Sequence, residues 1–151
     1  MRRKIVSFIS LLFVALALAP AMAHLLELPN KIHLSREDYL TVQQIYRGWA
    51  LLGIIIAVEL LSTLTLTIMV RHERKAFLFA LTSLLFIIGA QIVFWTYTYP
   101  ANQATKNWTF LPEDWQALRT KWEYSHATGA GFGMVAMITL IISVLTLDEN
   151  R

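Results

Sequence analysis

Apolar positions along the chain fall into four long blocks separated by polar stretches: Ile5–Ala23, Gly48–Val70, Ala76–Tyr99 and Ala127–Leu147. At about 1.5 Å per residue, blocks of this length match the roughly 30 Å hydrocarbon layer of a bilayer. Lipid offers no partner to a backbone N–H or C=O, so each block is predicted to be a helix. The expected fold class is all-α: an integral membrane four-helix bundle forming one domain over 1–151, with spans at about 5–23, 48–70, 76–99 and 127–147. The segments 24–47 and 100–126 are left as external helix and loop.

The polar stretches carry their own signals. Leu28-Pro29-Asn30 reads as a turn, and Ser35 with Asp38 three residues on has the form of a capping box that opens a helix. From Arg36 the pattern runs through Tyr39, Gln43, Tyr46 and Arg47 into the second span, which is therefore expected to be the lower part of one longer helix. Tyr39, Gln43 and then Tyr46 or Arg47 share a face. That face is either a solvated surface or the lining of a polar pocket. Pro100 is expected to stop the third helix, and Pro112 fits the first turn of a helix running into the fourth span, with Glu113 and Asp114 beside its positive end. Along that helix Trp115, Arg119, Trp122, Glu123 and His126 form one aromatic and ionisable stripe.

Composition agrees with the blocks. Of 151 residues 56% are hydrophobic and 15% charged, against about 25% charged in soluble domains. There is no cysteine, which excludes disulfide scaffolds, thiolate metal sites and cysteine nucleophiles. A net charge of +3 would admit nucleic acid as a partner, but the basic residues sit at span ends and form no stripe, so the partner expected is the lipid bilayer. With four spans, Arg2, Arg3, Lys4, Arg71, Arg74, Lys75 and Arg151 share one side, and Lys31, Arg36, Arg47, Lys106, Arg119 and Lys121 the other. The margin is seven to six, and the tight clusters beside the spans place both termini in the cytoplasm of a multi-pass cell-membrane protein. Trp49, Trp95, Trp108, Trp115 and Trp122 then fall near the outer face, as an interfacial belt would. The first block has a second interpretation, since Pro20 and Ala21-Met22-Ala23 also suit a secretory signal cleaved before His24.

Two His/Glu couples carry the strongest chemical signal. Glu123 and His126 stand three residues apart, the spacing by which one helix offers two ligands to one metal, and His24 with Glu27 mirrors it at the outer end of the first span. In an antiparallel bundle the four groups lie at one depth, as ligands for a single iron or copper ion or as a site that needs no cofactor. The structural alternative pairs Glu123 with Arg119 and hydrogen-bonds His126 to a carbonyl. Glu59 is roughly 16 Å into the second span. It is either a proton acceptor or substrate contact, or a buried specificity group, with Gln91 the nearest strongly polar candidate partner. Gly129 and Gly133 form a small-xxx-small surface for close helix packing.

Pro100-Ala101-Asn102 after a span, then Trp108, Trp115, Leu118-Arg119 and Trp122-Glu123 with His126, resemble the pattern of the anthrone oxygenase-like family of small four-span membrane proteins, much of it catalogued as a domain of unknown function. The resemblance implies a bundle that retains its first helix. For characterised members it implies oxygenation of an anthrone to an anthraquinone by molecular oxygen. Its motif residues here are Asn102, Arg119, Trp122, Glu123 and His126.

Two functions are thus expected. In the first, a small aromatic or quinol-like substrate reaches the outer interface from the bilayer and binds among Trp115, Trp122, Asn102, Arg47 and Glu59. There His126 or Glu123 deprotonates it while Arg119 or Arg47 stabilises the oxyanion. In the second, the chain is a non-enzymatic helix-packing partner or assembly factor acting through Gly129 and Gly133.

Overall fold

A computed structural model describes residues 1–149, with side chains as far as Leu147; Arg151 of the basic rim lies outside the described residues. The chain is all-α, with no strand among the described residues. Its helices are α1 (Arg2–Lys31), α2 (Arg36–Gln43), α3 (Leu52–Met69), α4 (Arg74–Val93), α5 (Tyr99–Ala104) and α6 (Trp115–Glu149). Four helical stretches are long and apolar enough to cross a membrane: Arg2–Lys31, Trp49–Met69, Arg74–Ala104 and Trp115–Leu147. α6 packs against α4 and α1, and α3 against α1 and α4, so the helices close into an up-down-up-down ring.

The ring turns its bulk outward. Phe8, Leu61, Leu85, Ile138 and Leu145 are exposed, as lipid-facing side chains are. Small residues meet inside, with Ala76, Ala80, Ala136, Ser10, Ser83 and Ser143 buried around Val14, Leu66 and Leu140. Such residues let helix backbones approach closely; Ser143 Oγ donates to Ala76 O of α4 at 2.8 Å. Gly133 faces Leu18 of α1, and Gly89 faces the ring of Phe132. Gly133 therefore serves a contact within the chain, whereas a side chain at Gly129 would meet open space.

Four expected helix boundaries move. The predicted turn at Leu28-Pro29-Asn30 is helical, because Pro29 lies in the last turn of α1, where its missing N–H removes a single bond. Pro100 does not stop the third helix. A π turn over Phe94–Thr98, closed by the Tyr99 N–H donating to Phe94 O, widens the backbone ahead of the proline ring, and α5 carries the rod on to Ala104. The long helix expected from Arg36 into the second span is broken: Arg47 is extended and Gly48 has φ 88°, a left-handed value that glycine adopts without strain. α2 is opened by Ser35, whose Oγ accepts from Asp38 N at 3.2 Å and donates to the Asp38 carboxylate at 2.8 Å. α6 starts at Trp115, three residues after Pro112.

A second core caps one end of the ring. Tyr39, Ala101, Trp108, Leu111, Trp115 and Trp122 are buried together. Trp108, Trp115 and Trp122 are thus interior, and of the expected tryptophan belt only Trp95 is exposed, with Trp49 half-buried. Lys106, Asn107 and Trp108 all have left-handed φ, a strained turn held by Asn107 N donating to Asn102 O at 2.6 Å and Trp108 N to Thr105 Oγ1 at 3.1 Å. That turn delivers the Trp108 indole into the cap.

Candidate functional site

Between the small-residue core and the aromatic cap lies a polar layer. Because α1 continues past Pro29, His24, Glu27 and Lys31 recur at three and four residues and share one face. Trp122, Glu123 and His126 do the same on α6. α2 adds Tyr39 and Gln43, and the short 3₁₀ turn after it adds Tyr46.

Lys31 is the hub. Its ammonium lies 3.1 Å from Glu123 Oε1, 3.8 Å from Glu27 Oε2, and donates to the Tyr46 hydroxyl at 2.8 Å. Tyr46 in turn donates to Glu27, and Tyr39 donates to Glu123 Oε1 at 2.9 Å while accepting from Gln43 Nε2 at 2.5 Å. A continuous hydrogen-bonded chain therefore joins Gln43, Tyr39, Glu123, Lys31, Tyr46 and Glu27. It runs from Glu123, fully buried, to Glu27, whose side chain is 36% exposed. Tyr46 and Trp122 place ring faces 4.5 and 4.7 Å from the ammonium, distances at which aromatic quadrupoles attract a cation. Burial, and then the neighbouring carboxylates, hold both phenols well above the usual tyrosine range: Glu123 acts on Tyr39, and chiefly Glu27 on Tyr46.

The two histidines meet beside this chain. The rings of His24 and His126 lie 4.1 Å apart at 32°, His24 is 5.0 Å from Trp122, and His126 is 4.2 Å from it. Neither imidazole holds a hydrogen bond among the described residues; His24 Nδ1 is buried and unpartnered, 4.0 Å from Glu27 Oε2. On its other side His24 touches Tyr46 and Trp49. Trp49 also lines an apolar groove of about 280 Å³ between α1 and α3, with Pro20, Gly48, Leu51, Leu52 and Ile55 as the other walls. Gly48, where the chain breaks, is part of its wall.

The expected site residues divide. His24, Glu27, Trp122, Glu123 and His126 converge, with Glu123 paired to Lys31 and not to Arg119. Asn102 is committed to structure: its Oδ1 accepts from Trp108 Nε1 at 3.0 Å and Trp122 Nε1 at 2.8 Å. Arg119 donates to Leu34 O at 2.8 Å and stacks on Trp115, its guanidinium 4.6 Å from the ring. Arg47 is exposed and donates to Gln44. Neither arginine faces the histidines. Glu59 shares no hydrogen bond or ion pair with the cluster or with Gln91.

As a metal centre the cluster fits poorly. Among the described residues no three His, Cys, Asp or Glu side chains converge on one point, and the ammonium of Lys31 occupies the space between the two carboxylates. Lys31 is the member of the cluster that the sequence leaves among the basic residues at the span ends. Its signal was the spacing from His24 and Glu27, hidden by the turn assigned to Pro29.

Compared with known proteins, the chain matches no family model, no curated protein and no solved structure.

Proposed function

We propose that the protein is a membrane oxidoreductase of the oxygenase type, with both termini in the cytoplasm and the aromatic end at the outer interface of the cell membrane. Its substrate would be a small aromatic molecule of the anthrone or quinol class arriving from the bilayer. The observation that carries this is the pair His24 and His126: two imidazoles in ring contact, neither held by a hydrogen bond, beside one buried ammonium and behind the indole that lines an apolar groove.

For an anthrone, His126 takes the acidic C–H proton, and the charge left on the ring oxygen is stabilised by Lys31. The carbanion reacts with dioxygen; one oxygen atom remains on carbon as the new carbonyl, and the other leaves as water with the two hydrogens lost from the substrate. Lys31 takes the role expected of Arg119 or Arg47, because it is the buried cation of the layer that holds the imidazoles, over the same Trp122 ring that both of them touch. His24, in ring contact with His126 and 4.0 Å from the part-exposed Glu27 carboxylate, offers the proton a way toward the surface. The resemblance of Asn102, Arg119, Trp122, Glu123 and His126 to the anthrone oxygenase-like pattern supports the same reading.

The test is oxygen uptake by proteoliposomes supplied with an anthrone or a short-chain quinol. Turnover by the wild type, reduced by about 10²-fold or more in His126→Gln and Lys31→Met, is the expected result. Absence of turnover with both substrate classes, from protein that is folded and inserted, would overturn the proposal.

A further inference from the structure

Glu59 stands apart from everything the aromatic end uses. It is 6% exposed on α3, roughly 15 Å along the helix axis from Met69 at 1.5 Å per residue. No described residue gives its carboxyl a hydrogen bond or an ion pair. The helices packed on α3 offer no counter-charge at this level: α1 over residues 5–23 and α4 over 76–93 hold no ionisable side chain, nor does α6 over 127–147. On its own segment the nearest charges are Arg47 and Arg71, outside the apolar stretch at either end.

The surroundings are nonetheless polar. Of the five buried residues of α3 (Glu59, Ser62, Thr63, Leu66 and Thr67), only Leu66 is apolar. Ser62 donates to Glu59 O and Thr67 to Thr63 O, which satisfies both hydroxyls within the helix. Thr63 Oγ1 and Ser83 Oγ are different: both residues are fully buried, and neither hydroxyl has a partner. Ser83 lies roughly 14 Å from the start of α4. Since α3 and α4 are antiparallel and joined by a short turn, this is the depth of Glu59, while Thr63 is one turn nearer the basic end on the same buried face. Buried side-chain polar groups nearly always hold a partner. A carboxyl and two hydroxyls without one thus lie within about one helical turn of the same depth, on the buried faces of two neighbouring helices.

We infer that Glu59, Thr63 and Ser83 form a binding site for a monovalent cation in the middle of the bundle. One carboxylate neutralises one positive charge, so a divalent ion would leave net charge in the hydrocarbon layer, where charge is costly. The oxygen-only donor set suits a hard ion, sodium or the proton, and both bind the same carboxylate. The site stands on its own residues and does not depend on the chemistry proposed at the aromatic end.

The experiment is labelling of the full-length protein in liposomes by dicyclohexylcarbodiimide, which adds to protonated carboxyls within membranes, read by mass spectrometry of the Glu59 peptide with Glu59→Gln as the blank. Labelling that sodium suppresses at fixed pH identifies a sodium site. Labelling indifferent to sodium but falling as pH rises identifies a proton site. In either case Thr63→Val with Ser83→Ala, which keeps the carboxyl, is expected to shift the midpoint at least tenfold in cation activity. Glu59 that never reacts, reacts equally at every pH and sodium concentration, or keeps its midpoint in the double variant overturns the site.

Discussion

The ammonium of Lys31, on the first helix, lies 3.1 Å from the carboxylate of Glu123 on the last, and both side chains are at most 4% exposed. The pair ties α1 to α6 through a layer that water does not reach. Lys31→Met leaves Glu123 a buried charge with the Tyr39 hydroxyl as its remaining partner, since Oε2 has none. Breaking one side of such a pair costs about 3–5 kcal/mol, whereas replacing both partners by apolar groups is close to neutral. Thermal unfolding in detergent is expected to fall sharply in Lys31→Met and to recover most of the loss in Lys31→Met with Glu123→Leu. Equal losses in the single and double variants would show that the pair contributes nothing as a unit.

Asn102 holds two indoles with one oxygen. Asn102→Leu removes hydrogen bonds to Trp108 and Trp122 and leaves two N–H donors in a closed cap. At about 1 kcal/mol per lost bond, with a further penalty for a stranded donor, the expected destabilisation is about 2–4 kcal/mol. Tryptophan emission should change even at temperatures where the variant is folded, because both indoles lose their fixed environment. An unaltered spectrum would contradict the assignment.

The phenols of Tyr39 and Tyr46 are held protonated by burial and by the carboxylates beside them. An unfolded chain ionises its tyrosines near pH 10, so above that pH the unfolded state loses protons that the folded state keeps. Stability contributed by these phenols is therefore full below about pH 10 and declines as pH rises further. Phenolate absorbance of the folded protein near pH 11 should fall short of that of the unfolded chain. Tyr39→Phe with Tyr46→Phe should erase the part of the shortfall due to these two rings.

Two glycines at the start of the second span should respond with opposite signs. Gly48 has φ 88° and open space where a Cβ would go, so Gly48→Ala introduces only backbone strain, about 1–2 kcal/mol for a left-handed L-residue. Gly53 is helical with equally open space, and Gly53→Ala should stabilise by about 0.5–1 kcal/mol. Paired unfolding measurements decide the matter; a stabilising Gly48→Ala would refute the break as drawn.

Much of the fold was legible from hydropathy alone, because lipid forces backbone hydrogen bonds inward and leaves helix as the only form for an apolar block. The Ser35 cap and the convergence of the first and fourth helices also followed from spacing. Prolines misled. Pro29 and Pro100 read as stops, which is their effect in water, yet in the last turn of a helix or behind a π turn each proline removes little. A turn at Pro29 ends α1 early and separates Lys31 from His24 and Glu27, which concealed the centre of the site. The arginines misled in the opposite way: Arg119 carries the right spacing, but its guanidinium turns to Leu34 O and Trp115, a choice that depends on where α2 docks and is not written in α6.

The π turn at Phe94–Thr98 sets a clock for the residues beyond it. Such a turn behaves as one residue inserted into an α-helix, and each residue advances the helix by about 100°. Deleting a single residue there would restore a regular helix and swing Asn102 by about that angle, away from the two indoles it receives. The irregular turn is thus the phase adjustment that lets a long apolar rod, whose periodicity is fixed by its own backbone hydrogen bonds, present the correct side chain to the cap above it. Repairs that make this helix more ideal are expected to disorder the cap.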